Sequence, residues 1–153
     1  MSGKNLQLLD FLVGDWESTA VTEGVTIQRS IRYQWVYKDN FLEATSERKV
    51  GNDVIEMTII YLWDALASEI RSWVRASDGE WSQATVTVVG DGIIQLHSEG
   101  ANAKGERTSL ISTLDQVDSD TRTETWTDII INDVSMPSPE SIVWNRSECP
   151  VGV

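Results

Sequence analysis

Histidine and cysteine are nearly missing from this 153-residue chain, where His97 and Cys149 each stand alone. One cysteine closes no internal disulfide, and the two residues together are too few for a tetrahedral nitrogen–sulfur metal site. No metal and no cofactor is therefore expected. Cys149, beside Pro150 in an expected tail, reads as an incidental thiol rather than a nucleophile. Basic residues are scarce as well: 12 Lys and Arg face 24 Asp and Glu, a formal net charge of -12. Such a surface repels phosphate backbones, whose affinity for proteins rests on counterion release by Lys and Arg. It also repels anionic membrane faces. Nucleic acids and membranes are set aside as partners, and the charge is read as serving solubility. Long apolar runs are absent too. The N-terminus, MSGKNLQLLDFLVGDW, has one Lys and a short apolar stretch broken by Asp10 and Asp15. It has the pattern of neither a signal peptide nor a membrane span, and a reducing, cytoplasmic setting is expected. There is no Gly-rich phosphate loop, HExxH, GxSxG or CxxC, which removes the commonest nucleotide, zinc, serine-hydrolase and redox chemistries.

What the sequence does have is alternation. A chain of this length fits one domain and buries roughly 68–70% of its unfolded surface, enough for a single core without staples. Residues 5–13 carry Leu6, Leu8, Leu9, Leu12 and Val13 near helical spacing, with Gly14 as a stop, which predicts a short lid helix. Ten period-two segments follow: 15–22, 26–36, 41–50, 54–63, 69–76, 81–89, 93–98, 108–114, 122–131 and 141–146. The connectors between them are rich in Gly, Asn and Asp, which tolerate positive φ in tight turns. None is long enough to be a helical crossover, so the sheet is an antiparallel meander. Closing such a sheet removes its exposed edges and leaves room for a small ligand. The expectation is one all-β domain spanning 1–153: a closed antiparallel barrel of about ten strands with a short N-terminal helix. A two-sheet sandwich is the structural rival.

The segment DFLVGDWES at 10–18, a short helix running into Gly14-Asp15-Trp16, resembles the start of calycin-type barrels. In lipocalins a Gly-x-Trp closes one barrel end, with an arginine from the far end of the chain across the indole. The resemblance implies the same structural clasp here between Trp16 and Arg146 of the last strand. NFLEATSERKVGN at 40–52, IIYLWDALASEIRSWVRASDGEW at 59–81 and TETWTDI at 123–129 extend it. Over residues 8–146 the chain is similar to small bacterial lipocalin-like domains of uncharacterised function, of the kind found beside ketosteroid-isomerase-like domains. Haem-binding relatives of this barrel use an axial histidine, for which His97 is the sole candidate.

Strand faces supply the remaining candidates. On 122–128 the threonines share one face, suited to solvent, which turns Glu124, Trp126 and Asp128 toward the barrel interior. Arg71, Trp73 and Arg75 share a face of their own strand, and the same logic is extended to Trp73 and Arg75. Seven Trp, together with Tyr33 and Tyr61, are more aromatic bulk than a solid aliphatic core requires. They suggest a lined cavity with a few convergent polar groups, as small-molecule sites have. The ligand-binding candidates are Tyr33, Trp35, Tyr61, Trp73, Arg75 and Trp126. Asp128, Glu124, Glu43 and His97 are the candidates for proton transfer. Three readings stay open. The first is a barrel holding a hydrophobic or amphipathic ligand, which enters opposite the clasp. The second is a cofactor-independent cyclase, isomerase or dehydratase acting on a polyketide- or terpenoid-like substrate. The third is a haem-binding barrel through His97. Either a monomer or a homodimer is compatible with the sequence.

Overall fold

A computed structural model describes residues 5–147, so that Cys149 lies outside the described residues. A six-residue 3-10 helix, Gln7–Leu12, precedes eleven strands. These are β1 (Gly14–Thr22), β2 (Val25–Val36), β3 (Phe41–Val50), β4 (Asp53–Asp64), β5 (Glu69–Ala76), β6 (Trp81–Gly90), β7 (Ile93–Ala101), β8 (Arg107–Gln116), β9 (Thr121–Ile131), β10 (Val134–Met136) and β11 (Ile142–Arg146). Strands β1 to β9 pair in chain order, and β11 fits between β9 and β1, which closes an antiparallel barrel of ten strands. All ten segments expected from alternation are strands of this barrel.

The eleventh strand corrects the reading of residues 132–140 as a plain connector. Asn132 and Asp133 both take positive φ (52° and 68°), and the tight turn they make folds Val134–Met136 back on Ile129–Ile131. Beyond it, Pro137 and Pro139 have no N–H to continue a ladder, and β10 stops at three residues. β10 and β11 share one edge of β9, with β11 on its first half and β10 on its last three residues.

Alternation sorts every barrel strand into an inner and an outer face. Trp16, Ile31, Tyr33, Leu42, Tyr61, Ile70, Val86, Ile94, Leu96, Leu114 and Trp144 are buried and form one core. Their positions fall at one end of the barrel: the start of β1, the end of β2, the start of β3 and the end of β4. The helix caps that end by burying Leu6, Leu9 and Leu12 completely. Two indoles tie it down, as Trp16 Nε1 donates to Leu12 O at 2.8 Å and Trp35 Nε1 to Asp10 Oδ1 at 3.0 Å. At the other end the inward positions, among them Arg29, Met57, Val74, Ser98, Leu110 and Trp126, are only half-buried. The barrel therefore has a helix-capped end and an uncapped one, termed the open end, whose inner face is less buried. No helix among the described residues is long and apolar enough to cross a membrane.

Candidate functional site

The helix-capped end is fastened by Arg146. Its guanidinium carbon lies 4.3 Å from the Trp16 ring centroid, while Nη1, Nε and Nη2 donate to Val13 O (2.6 Å), Ser119 O (2.6 Å) and Phe11 O (3.3 Å). Gly14 makes room for this. It adopts φ +119°, and a Cβ built there would stand 2.6 Å from Arg146 Nη1. Asp15, next along the strand, faces outward and pairs with Arg32 at 2.6 Å.

Between the capped core and the open end runs a tier of small inward side chains. Ser18, Ala44, Ser72, Ala84 and Ser112 are all buried and belong to β1, β3, β5, β6 and β8. Bulky aliphatics at these positions would fill the barrel. Serine and alanine leave its centre to a set of polar and aromatic groups from β2, β4 and β9. Arg122 is fully buried there, with its guanidinium carbon 5.1, 5.3 and 5.0 Å from the ring centroids of Trp16, Tyr33 and Trp144. Each such contact is worth about 0.5–2 kcal/mol when desolvated. Its one hydrogen bond among the described residues is a 3.3 Å donation from Nη2 to Tyr33 Oη. Nε and Nη1 are buried without a partner, as are Ser72 Oγ and Trp144 Nε1.

Tyr33 and Tyr61 extend the polar set. Their ring centroids are 6.4 Å apart with the planes tilted at 33°, so that the two phenols lie close together. Burial pushes the Tyr33 phenol above its ordinary range. The Arg122 charge opposes this and the Glu124 charge reinforces it. Burial also pushes Tyr61 well above that range, reinforced by Tyr33 and opposed by Arg122. Both phenols are therefore neutral hydrogen-bonding groups over the whole physiological range. Glu124 is half-buried on the same inner face as Arg122 and accepts a 2.8 Å hydrogen bond from Trp126 Nε1. Toward the open end, Arg29 lies opposite Arg48 in the β2–β3 ladder. Burial lowers the Arg29 pKa, the Arg48 charge lowers it further, and Glu124 counteracts both.

The candidate residues divide between two places. Tyr33, Tyr61, Glu124 and Trp126 come together inside the barrel. Trp35 is inward as well, but it sits at the capped end and holds the helix. The remaining residues need correction. Trp73 is 60% exposed and Arg75 is exposed, because Ile70, Ser72 and Val74 hold the inner positions of β5. Asp128 is exposed: β9 bulges against β8, with Ser109 opposite Ile130 but Ile111 opposite Thr127. That odd count reverses the alternation after Trp126, and Asp128 takes φ 51° at the bulge. His97 is exposed on the outer face of β7 and cannot ligate a haem held inside. Glu43 alternates with the buried Leu42 and Ala44 and so faces outward, opposite Gln34 and Ile60. Trp73, His97 and Asp128 do share a feature, an outer groove of about 460 Å³ lined also by Arg71, Gln83 and Thr85.

Arg122 and the small tier were missing from the sequence-based site. The signal was available as a small residue two positions from an aliphatic on one face: Leu42 with Ala44, Ile70 with Ser72, Ala84 with Val86, Ser112 with Leu114. No protein-family model matches the chain, and no curated protein matches it.

Proposed function

We propose that the chain is a small-molecule-binding barrel that holds a hydrophobic or amphipathic ligand in its interior. The ligand enters from the end opposite the helix. The observation that carries this reading is the buried tier of Ser18, Ala44, Ser72, Ala84 and Ser112, ringed by aromatic side chains and by polar atoms without partners. Native proteins leave few buried polar groups unsatisfied, and several of them facing one barrel interior, on β9, β11 and β5, are the expected signature of a site completed by something else. The ten-stranded closed barrel and the Trp16–Arg146 contact also support kinship with the small bacterial lipocalin-like domains that the sequence resembles.

Native mass spectrometry of freshly purified protein, followed by denaturing extraction, tests the reading. Release of a stoichiometric small molecule is the expected result. A clean apo mass, together with no quenching of tryptophan fluorescence by any apolar ligand of a broad panel, overturns it.

A second reading is favoured by one observation, the Glu124 carboxylate held by Trp126 inside the barrel, where its charge acts on the Tyr33 and Tyr61 phenols. A carboxylate base with neutral phenolic donors is the minimum needed to move a proton on an enclosed carbonyl substrate, as an isomerase, cyclase or dehydratase does. Under this reading Glu124→Gln abolishes turnover while ligand affinity persists. Full turnover in that variant removes Glu124 from the role.

A further inference from the structure

Among the described residues Arg122 is the one cation that is buried completely, and the groups around it are rings and a hydroxyl rather than carboxylates. Trp16, Tyr33 and Trp144 surround its guanidinium at 5.0–5.3 Å. No Asp or Glu among the described residues lies within ion-pair distance of it. A guanidinium presents five N–H donors in a planar fork. Among the described residues a single one is used, at 3.3 Å to Tyr33 Oη, while Nε and Nη1 are buried with no partner. Aromatic faces stabilise the charge but accept none of the in-plane N–H groups. The chain is otherwise short of positive charge, at 12 basic against 24 acidic residues, yet this one is fully buried among three rings of the core.

We infer that Arg122 is the anchoring point for the head group of the ligand, and that this head group is a carboxylate. The inference rests on the binding reading above and adds to it the chemical class. A carboxylate supplies two oxygens with the spacing of the guanidinium fork and neutralises one buried charge. Hydroxyl donors are at hand for it: the Tyr33 phenol is bonded to Arg122, the Tyr61 ring lies 6.4 Å from that of Tyr33, and Ser72 Oγ, without a partner among the described residues, is on β5, whose register sets Ser72 opposite Tyr61. Glu124 on the same inner face limits the anion to a single charge, since a phosphate dianion would meet its repulsion. Arg29 and Arg48 near the open end lie on the way in and would draw an anion toward a protein whose net charge is otherwise strongly negative. The apolar part of the ligand then extends toward Met57, Val74, Leu110 and Trp126, the half-buried inner residues of the open end.

The test uses the intact wild-type chain and a panel of carboxylic acids with straight-chain, naphthyl and steroidal tails, each matched with its methyl ester and primary alcohol. Binding is followed by quenching of tryptophan fluorescence at pH 7.5. The expected result is that at least one acid binds ten-fold or more tightly than its own ester and alcohol. That preference disappears in Arg122→Met and survives in Arg29→Gln. Because removal of a buried arginine can cost the fold, Tyr33→Phe provides a second variant, expected to narrow the preference several-fold while the circular dichroism spectrum is retained. Equal binding of acids, esters and alcohols overturns the carboxylate assignment and leaves the binding reading standing. A preference that vanishes with Arg29→Gln and persists in Arg122→Met overturns the assignment of the anchor. Failure of every probe to bind removes the binding reading and this inference with it.

Discussion

Gly14 and Arg146 share a space that admits only one of them with a side chain. The guanidinium passes so close to the glycine that a Cβ would lie 2.6 Å from Nη1, and the glycine holds φ at +119°, where L-residues are rarely found. The Gly-x-Trp pattern of the first strand thus has a physical basis here: the glycine admits the arginine, and the tryptophan supplies the surface it lies on. Gly14→Ala is expected to combine a strained backbone with the loss of this seat, and strain of that kind costs about 1–3 kcal/mol. Urea denaturation measures it, and a midpoint equal to that of the wild type would remove the explanation.

The contact between Arg146 and Trp16 has an energetic counterpart. With the guanidinium 4.3 Å from the indole centroid, a double-mutant cycle of Trp16→Leu and Arg146→Met is expected to give a coupling of about 0.5–2 kcal/mol. The three backbone carbonyls held by Arg146 are lost in both arms of the cycle that remove it, so they cancel from the coupling. Additivity within error would mean that the arginine acts through those carbonyls and its 3.7 Å contact with Asp120, and not through the indole.

Most of the fold was legible because hairpin barrels write their register into the sequence as alternation punctuated by turn residues. Faces were harder. On β9 the rule that threonines face solvent gave the right sense for Glu124 and Trp126, then failed at Asp128, because a bulge adds a residue that alternation alone does not reveal. On β5 the large side chains of Arg71, Trp73 and Arg75 drew attention from Ser72 and Val74, the residues that point inward. Size was read as burial, whereas this barrel places small residues inside and leaves an indole 60% exposed outside. Arg122 shares its face with Glu124 and Trp126. Nothing local in the sequence tells that it is fully buried, since that follows from the closure of β9 on β11 and β1.

The bulge at Asp128 leads to a separate expectation. A non-glycine residue at φ 51° carries a small conformational cost, which glycine does not. Asp128→Gly is expected to change stability by less than about 1 kcal/mol, and Asp128→Asn to leave interior ligand binding unaltered. Loss of binding or turnover in Asp128→Asn, measured beside Glu124→Gln, would move the site to the outer groove that Asp128 shares with Trp73 and His97.

Ser72 tests whether the barrel centre is open. Its hydroxyl is buried with no partner among the described residues, so Ser72→Ala removes an unsatisfied group and is expected to be neutral or stabilising by up to about 1 kcal/mol. Ser72→Leu then asks how much room there is. In a filled core the added methylenes cost about 1–3 kcal/mol, whereas in an open chamber they bury apolar surface and cost less. The expected pattern is a tolerated leucine that competes with ligand. A leucine that unfolds the protein would mean a solid interior.

Alkaline pH reads the two phenols directly. Burial raises the Tyr33 pKa above the ordinary value of 10.0 and raises that of Tyr61 further. Well below pH 10 both phenols are protonated in the folded and the unfolded chain, and their contribution does not vary. As pH rises beyond that, the unfolded chain releases two protons that the folded chain retains, so unfolding becomes progressively more favourable. Stability is therefore expected to fall from pH 10 upward until the folded phenols themselves ionise. Other groups titrate in the same window, and Tyr61→Phe separates them. The variant should lose less stability between pH 9 and 11 than the wild type, as measured by the urea midpoint at each pH. Parallel curves would show that Tyr61 meets the same environment in the folded barrel as in the unfolded chain, which its complete enclosure opposes.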